Sequence, residues 1–276
     1  MYLQHFGFRE MPFGLTPDTS FFYASGAYQE ALNTLLVATR EGEGFIKIVG
    51  EVGTGKTMLS RKFMASLGED YVTAYVPNPY LEPLTLLRAI VEDLGVARKA
   101  AGDQHRLLKT LTQGLMEFAR QDKRVVLCLD EAQAMPLETL EALRLLTNLE
   151  TEKRKLLQIV LFGQPELDGR LDSPSIRQLK QRITFHYRLG ALSRDELEYY
   201  VNHRINVAGH GGGRLFSGAA LRLLHRASGG IPRLINILGH KALMMAYGHG
   251  RPRVDWRDMR AAVKDTPAAR PLRWVW

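Results

Sequence analysis

Cysteine is almost absent from this chain, with Cys128 the single example among 276 residues. One cysteine cannot form an internal disulfide, which excludes a disulfide-stapled secreted scaffold and favours a reducing compartment. Because Cys128 stands inside an apolar segment, we expect a small buried side chain rather than a reactive thiol.

Long apolar runs and a secretory signal are also lacking. No window approaches the roughly 20 apolar residues that a helix needs to span a bilayer. The N-terminal sequence MYLQHFGFREMPF has no cationic stretch followed by an apolar core. We therefore expect no transmembrane segment and a soluble, cytoplasmic protein, peripheral to the inner membrane only through its partners.

Acidic residues are outnumbered by basic ones, 29 to 37, which gives a formal net charge of +8. Such an excess suits nucleic acid, anionic lipid or nucleotide. A solvated basic surface explains it at least as well, and no recognisable helix-turn-helix or zinc motif points to DNA. Much of the excess falls late in the chain, at Arg251, Arg253, Arg257, Arg260, Arg270 and Arg273.

The order of the apolar segments predicts an α/β fold. Short apolar runs at 45–50, 71–76, 125–129, 156–163 and 183–189 alternate with helical patterns, which predicts a parallel five-stranded sheet covered by helices. From about residue 193 only helical patterns continue, around 193–208, 217–227 and 232–247. We expect an α/β domain over 1–190 that includes an aromatic N-terminal strap, a helical lid domain over 191–265, and a basic tail with tryptophans over 266–276.

A glycine-rich sequence follows the first predicted strand. GEVGTGKT, Gly50 to Thr57, matches the pattern G-x-x-x-x-G-K-[ST] of a P-loop NTPase and stands between a strand and a helix, as its mechanism requires. Glycines let backbone N–H groups face inward, and the helix N-terminus adds positive potential for phosphates. We expect Lys56 to reach the β- and γ-phosphates and Thr57 to offer its hydroxyl to Mg²⁺. The expected nucleotide-binding residues are Gly50, Glu51, Val52, Gly53, Thr54, Gly55, Lys56, Thr57 and Met58.

Two adjacent acids follow the third predicted strand, in RVVLCLDEAQ. Asp130 and Glu131 should lie at the carboxyl edge of the sheet, where ligands bind in open α/β folds. We expect Asp130 to hold Mg²⁺ with the nucleotide and Glu131 to orient and deprotonate the attacking water. A helix-capping role would account for Asp130 but not for both acids. The paired acids, and the lack of an N-K-x-D sequence, favour ATP over GTP.

Together these motifs resemble those of AAA+ ATPases, and more narrowly those of secretion ATPases of the GspA/ExeA type. The resemblance runs to about residue 265, through the N-terminal FGFREMPFGLTPDTSFFYAS and the later LFGQPEL, LKQRITFHYRL and GGIPRLINIL. Larger relatives continue into a membrane span and a peptidoglycan-binding region, which we do not expect here. The chain is most similar to the shorter MshM type, from the biogenesis machinery of mannose-sensitive haemagglutinin (MSHA) pili. Tyr28 departs from the histidine expected at its position.

The resemblance implies roles for three further residues. Gln164 fits a sensor that contacts the γ-phosphate or the attacking water, although alone it reads as an ordinary loop residue. Arg182 fits an arginine finger that reaches the ATP of a neighbouring subunit, with Arg177 and Arg188 as competitors. Arg233 fits a second sensor in the lid. The helix dipole disfavours a cation in the first turn of a helix, so the position of Arg233 there favours an anionic ligand nearby.

The resemblance also implies partners. We expect a homo-oligomeric ring, such as a hexamer, that hydrolyses ATP. The cycle would drive assembly or remodelling of an envelope pilus or secretion machine together with inner-membrane proteins. The alternatives are a DNA-associated ATPase that helps transposition or replication, and a non-hydrolysing scaffold. Phe13, Leu15 and Tyr23 are candidates for contacting adenine, and a buried structural strap explains them at least as well.

Overall fold

The structure is a computed structural model that describes residues 2–97, 103–151 and 154–271. Within it the chain divides into two compact units. One, the helical unit, comprises Met1–Gly26, Gly53–Met58 and Gly190–Trp276, and the other, the α/β unit, comprises Ala27–Val52 and Leu59–Leu189. The last five residues of the expected tail, including Arg273, lie outside the described residues.

A single five-stranded sheet organises the α/β unit. Its strands are β1 (Phe45–Gly50), β2 (Tyr71–Val76), β3 (Arg124–Leu129), β4 (Gln158–Gly163) and β5 (Ile183–Leu189). They pair in the order β2-β3-β4-β1-β5, and every pairing is parallel. All six residues of β4 and five of the six in β3 are buried, as expected for central strands covered on both faces. The predicted sheet is therefore confirmed.

Helices complete both units. In chain order they are α1 (Tyr2–Phe6), α2 (Gly26–Glu41), α3 (Lys56–Ala65), α4 (Pro83–Asp93), α5 (Gln104–Arg120), α6 (Leu137–Leu146), α7 (Glu166–Leu171), α8 (Arg177–Gln181), α9 (Arg194–Val207), α10 (Gly218–Ser228), α11 (Pro232–Gly248) and α12 (Trp256–Lys264). No helix of the described residues is long and apolar enough to cross a membrane.

Helix α12 was not predicted from the sequence, although its start carries a recognisable signal. The Asp255 side chain accepts hydrogen bonds from backbone N–H groups of the first turn, and Asp258 in turn accepts from the Asp255 N–H. This reciprocal arrangement is a capping box, here with aspartates at both positions. The buried residues Met259, Ala262 and Val263 then fix the inward face of the helix.

The aromatic N-terminal segment belongs to the helical unit, whereas the sequence had led us to attach it to the α/β domain. Phe6, Phe8, Phe13 and Phe21 are buried in one apolar cluster with residues of α9 to α12. The guanidinium of Arg204 on α9 lies 4.6 Å from the centre of the Phe21 ring and donates to the carbonyl of Pro12. Burial of these rings is the physical reason for the placement, because each large aromatic removes much apolar surface from water.

Candidate functional site

The loop after β1 has the backbone geometry that phosphate binding requires. Gly53 and Gly55 have φ values of 82° and 99°, a left-handed region in which residues with a Cβ are strained. Helix α3 begins at Lys56, immediately after this turn. Lys56 is only 5% exposed and Thr54 1%. The loop therefore curls tightly before a helix N-terminus, an arrangement that favours anions.

Arg233 packs against this loop through its backbone and the base of its side chain. Its N–H donates to the carbonyl of Gly53 at 3.1 Å. A Cβ placed on Gly53 would lie only 2.5 Å from the Cβ of Arg233. Both residues belong to the helical unit, and the Arg233 side chain is exposed in the first turn of α11. The predicted second sensor is thus held beside the predicted phosphate loop, and this contact explains why Gly53 has to be glycine.

Asp130 is a buried carboxylate at the end of β3. It is 2% exposed, and its N–H donates to the carbonyl of Val76 at the end of the neighbouring strand, 3.0 Å away. The Tyr75 hydroxyl donates to Asp130 Oδ2 at 3.2 Å. Burial, and then the nearby Asp130 charge, raise the pKa of Tyr75 far above its usual value, so the hydroxyl stays protonated and remains a donor. Mg²⁺ prefers oxygen ligands such as carboxylates, so the Asp130 side chain fits this metal.

Glu131 has an unusual backbone. Its φ of 53° and ψ of 36° place it in the left-handed region, which costs a residue with a side chain about 1–2 kcal/mol. Strain of this kind persists only where the surroundings impose it, and it is frequent at functional sites. The Glu131 carboxylate accepts from Gln133 Nε2 at 2.6 Å and from Gln164 Nε2 at 3.0 Å. Two amide donors therefore fix the direction in which the carboxylate points.

Gln133 was missed in the sequence, although it stands in the same DEAQ stretch. Its side-chain oxygen accepts from the backbone N–H of Gln164 at 2.9 Å, while its nitrogen donates to Glu131. The amide orientation is determined chemically, because a carboxylate only accepts and a backbone N–H only donates. Gln133 thus joins the residues that follow the neighbouring strands β3 and β4. The sequence signal was weak, since a single glutamine after two acids has no defining spacing.

The three arginines considered for the finger differ in their contacts. Arg182 donates to the carbonyl of Arg144 at 3.0 Å and to Thr147 Oγ1 at 2.9 Å, which caps the C-terminal end of α6. Arg188 pairs with Asp168 at 3.0 Å. Arg177 is exposed at the first position of α8. Arg182 would have to leave its two hydrogen bonds to reach a neighbouring subunit.

The residues considered for adenine binding have different surroundings. Phe13 is 2% exposed and packs edge-on against Phe216, with ring centres 5.9 Å apart. Tyr23 contacts the rings of Tyr200 and His203. Leu15 is 56% exposed. These contacts support the structural-strap explanation for Phe13 and Tyr23.

Tyr28 and Cys128 are both buried, at 8% and 0% exposure. Burial raises the pKa of the Cys128 thiol to about 12. The thiol therefore stays protonated near neutral pH, and it behaves as the small buried side chain expected from the sequence.

Comparison with known proteins identifies a matching family and a curated relative. The family described as AAA domain matches residues 39–171. General secretion pathway protein A of Aeromonas hydrophila is 41% identical over 270 residues, which cover 98% of this chain and 49% of that protein. This chain thus spans about half the length of the curated relative it matches.

Solved structures with the same fold share little sequence with this chain. The Aeropyrum pernix ORC2 protein, in ADPNP–ADP complexes, is 21% identical with a TM-score of 0.67, and the match covers 93% of this chain and 73% of that one. Cdc6p of Pyrobaculum aerophilum is also 21% identical, with a TM-score of 0.71 and coverages of 90% and 70%. RuvB of Thermotoga maritima, a Holliday junction branch migration motor, is 16% identical with a TM-score of 0.54 and coverages of 86% and 68%.

These likenesses agree with the site described above. The matched residues 39–171 contain β1 with its glycine-rich loop, β3 with its two acids, and Gln164 after β4. The fold is the one shared with these structures, and the loop has the general sequence pattern of a phosphate-binding P-loop. Residues 39–171 of this chain therefore match an AAA domain, and they include a P-loop sequence.

Proposed function

We propose that this chain hydrolyses Mg-ATP to ADP and phosphate, with Glu131 as the general base. The observation that carries the proposal is the carboxylate of Glu131, which two glutamine amides hold in place directly after the buried Asp130. A base must be oriented toward the water it deprotonates, and hydrogen bonds from neighbouring amides supply that orientation. The strained backbone of Glu131 supports the same assignment.

The other site residues bind the phosphates and Mg²⁺ or sense the γ-phosphate. Backbone N–H groups of Gly50 to Met58 cradle the phosphates, and Lys56 contacts the β- and γ-phosphates. Thr57 and Asp130 hold Mg²⁺, which neutralises phosphate charge when it is bound. Gln164 senses the γ-phosphate through the side chain that also contacts Glu131. Arg233, in the first turn of α11, acts as the second sensor of the nucleotide, and its backbone contact with Gly53 supports this role.

For the biological role, we propose that ATP hydrolysis drives assembly or remodelling of an envelope secretion machine. The support is the 41% identity to general secretion pathway protein A over almost all of this chain. The machine we favour is the MSHA-type IV pilus, with inner-membrane pilus proteins as partners and the ATPase on the cytoplasmic side. We propose a homo-oligomeric ring in which Arg182 or Arg177 reaches the ATP of the next subunit.

A phosphate-release assay with Mg-ATP tests the enzymatic proposal directly. The purified chain should release phosphate, and Lys56→Ala should abolish both release and the heat of Mg-ATP binding in calorimetry. Binding of Mg-ATP without phosphate release would make the chain a nucleotide-gated scaffold. Copurification of pilus or secretion proteins from membranes tests the biological role, and enrichment of transposition or replication proteins instead would contradict it.

A DNA-associated ATPase remains the second candidate because of the late arginines. The side chain of Arg251 is bonded to Asp258 at 2.9 Å, so the cationic cluster is smaller than the sequence suggested. Likeness to ORC2 and RuvB, at 21% and 16% identity, concerns the fold alone. Steeply salt-dependent binding to duplex DNA would favour this candidate.

A further inference from the structure

The outward side of helix α12 carries one large aromatic side chain among cations. We call this surface the α12 basic face, defined by Arg253 just before the helix and by Trp256, Arg257, Arg260 and Lys264 within it. Trp256 is 44% exposed, and Arg253, Arg257 and Lys264 are exposed as well. The opposite side of the helix is buried through Met259, Ala262 and Val263. The helix therefore separates an apolar inward side from a cationic outward side that presents an indole.

The aspartates nearest in sequence to the α12 basic face are engaged in capping and in ion pairs with Arg251 and Lys241. Residues 251–266 contain three aspartates: Asp255, Asp258 and Asp265. Asp258 has a fully buried side chain and pairs with Arg251 at 2.9 Å. Asp255 accepts from the N–H groups that open α12, and Asp265 pairs with Lys241 at 2.8 Å. An ordinary solvated surface mixes both signs of charge, whereas here the acids are engaged in capping and in pairs with other cations.

Trp256 is organised with the cations around it. The guanidinium carbons of Arg257 and Arg260 lie 5.8 Å and 6.0 Å from the centre of its ring. Both distances fall within the range of cation–π attraction. The ring and the charges are thus held together as one surface rather than scattered along the helix.

We propose that the α12 basic face docks on an anionic phospholipid surface. Tryptophan and arginine side chains settle at the boundary between headgroups and acyl chains, where the indole has apolar contact and the guanidiniums meet phosphates. Duplex DNA offers the cations phosphates but gives an exposed indole no comparable apolar layer. Single-stranded DNA would offer bases for stacking, yet Arg257 and Arg260 already lie over the ring. The proposal concerns a surface remote in sequence from the loop and the acids, and it does not depend on ATP hydrolysis.

Vesicle flotation tests this proposal with the full chain. Phosphatidylcholine vesicles that contain phosphatidylserine should bind the protein, and vesicles of phosphatidylcholine alone should bind it much less. The double variant Arg257→Ala with Arg260→Ala should weaken binding to the anionic vesicles roughly 25-fold, because each cation near such a surface contributes a factor of roughly five. Trp256→Ala, which keeps every charge, should weaken binding at high salt as well as at low salt.

The matched control is Arg222→Ala with Arg226→Ala on α10, which removes the same charge from exposed positions of the same unit. It should bind anionic vesicles as the parent protein does, and all variants should keep parental ATP hydrolysis and melting temperature. Equal weakening by the control pair would reduce the effect to net charge and overturn the proposal. It would also be overturned if the α12 variants bind vesicles normally, or if they lose only binding to a short DNA duplex.

Discussion

Gln133 donates a 2.6 Å hydrogen bond to the carboxylate of Glu131, and its own oxygen accepts from the N–H of Gln164. One side chain thus links the residues that follow two neighbouring parallel strands. The position of the carboxylate therefore depends on the end of β4, where Gln164 lies, through hydrogen bonds of Gln133. The network makes Gln133 a positioning residue, and it can be separated experimentally from the base itself.

Gln133→Ala should lower kcat roughly 10–100-fold, the value of one hydrogen bond to a charged group, while the affinity for ATP stays within about twofold. The reason is that Gln133 orients Glu131 but does not contact the phosphate loop in our assignment. Steady-state kinetics and nucleotide calorimetry provide the two values. Gln178→Ala, at an exposed position of α8, is the matched control and should change neither kcat nor the affinity for ATP. Unchanged kcat in Gln133→Ala would remove the positioning role.

Glu131→Gln should retain Mg-ATP binding and reduce turnover by about 10²–10⁴, the range for loss of a general base. Glutamine keeps the size of the side chain but cannot take a proton from water. Single-turnover phosphate release, together with calorimetry on the same preparation, distinguishes lost chemistry from lost binding. Wild-type turnover in this variant would assign the base to another residue.

Gly53→Ala should weaken Mg-ATP binding roughly tenfold or more, because the left-handed backbone alone costs about 1–2 kcal/mol with a Cβ present. In addition, the new Cβ would lie 2.5 Å from that of Arg233, so the loop or the start of α11 must shift. Gly211→Ala serves as the control, since no atom lies within 4 Å of a Cβ at that position. Equal affinities for the two variants would show that the Gly53–Arg233 contact does not shape the loop.

Arg182→Ala should lower the free energy of unfolding by about 1–3 kcal/mol, because both hydrogen bonds that cap α6 are lost. Arg177→Ala should leave unfolding unchanged, since this side chain is exposed. Denaturant titrations measure both values. A true arginine finger reveals itself differently, through loss of roughly 10³–10⁵ in an ATPase rate per protomer that rises with protein concentration. The variant that loses this rate without loss of stability identifies the finger.

Acid should destabilise the helical unit through two partly buried histidines. Burial lowers the pKa of His203, against an opposing hydrogen bond with Phe22, and burial also lowers the pKa of His240. A depressed histidine pKa means that the fold favours the neutral ring. The contribution of the two neutral rings to the free energy of unfolding is therefore complete above the unfolded pKa of about 6.5. It declines as the pH falls below that value.

Thermal melts of His240→Gln across this pH range should show a smaller loss of melting temperature on acidification than the parent. Glutamine keeps an acceptor for the Tyr2 hydroxyl, which lies 2.9 Å from His240 Nδ1, but it does not titrate. His105→Gln, at an exposed position of α5, should follow the parental pH curve. Identical curves for all three proteins would exclude His240 as a cause of acid sensitivity.

The sequence by itself determined the sheet and the position of the chemistry along the chain. Buried parallel strands need continuous apolar runs, so β3 and β4 could be predicted from VVLCL and LLQIVLFG, to within two residues of their observed starts. The phosphate loop and the acids after β3 are local patterns, because a tight glycine turn and a strand end constrain only a few consecutive residues. Pro232 likewise marked the start of α11 and thus placed Arg233 in its first turn.

Tertiary structure alone decided which partners these residues have. These contacts join residues between 2 and 180 positions apart in the sequence. They are the hydrogen bonds of Gln133 and Gln164 to Glu131, the contact of Gly53 with Arg233, and the hydrogen bond by which Arg182 caps α6. The N-terminal aromatics likewise joined the helical unit because its apolar cluster could bury them, a choice that their own sequence does not encode. Spacing along the chain specifies the local backbone, whereas side-chain contacts depend on which strand ends and helix faces the fold brings together.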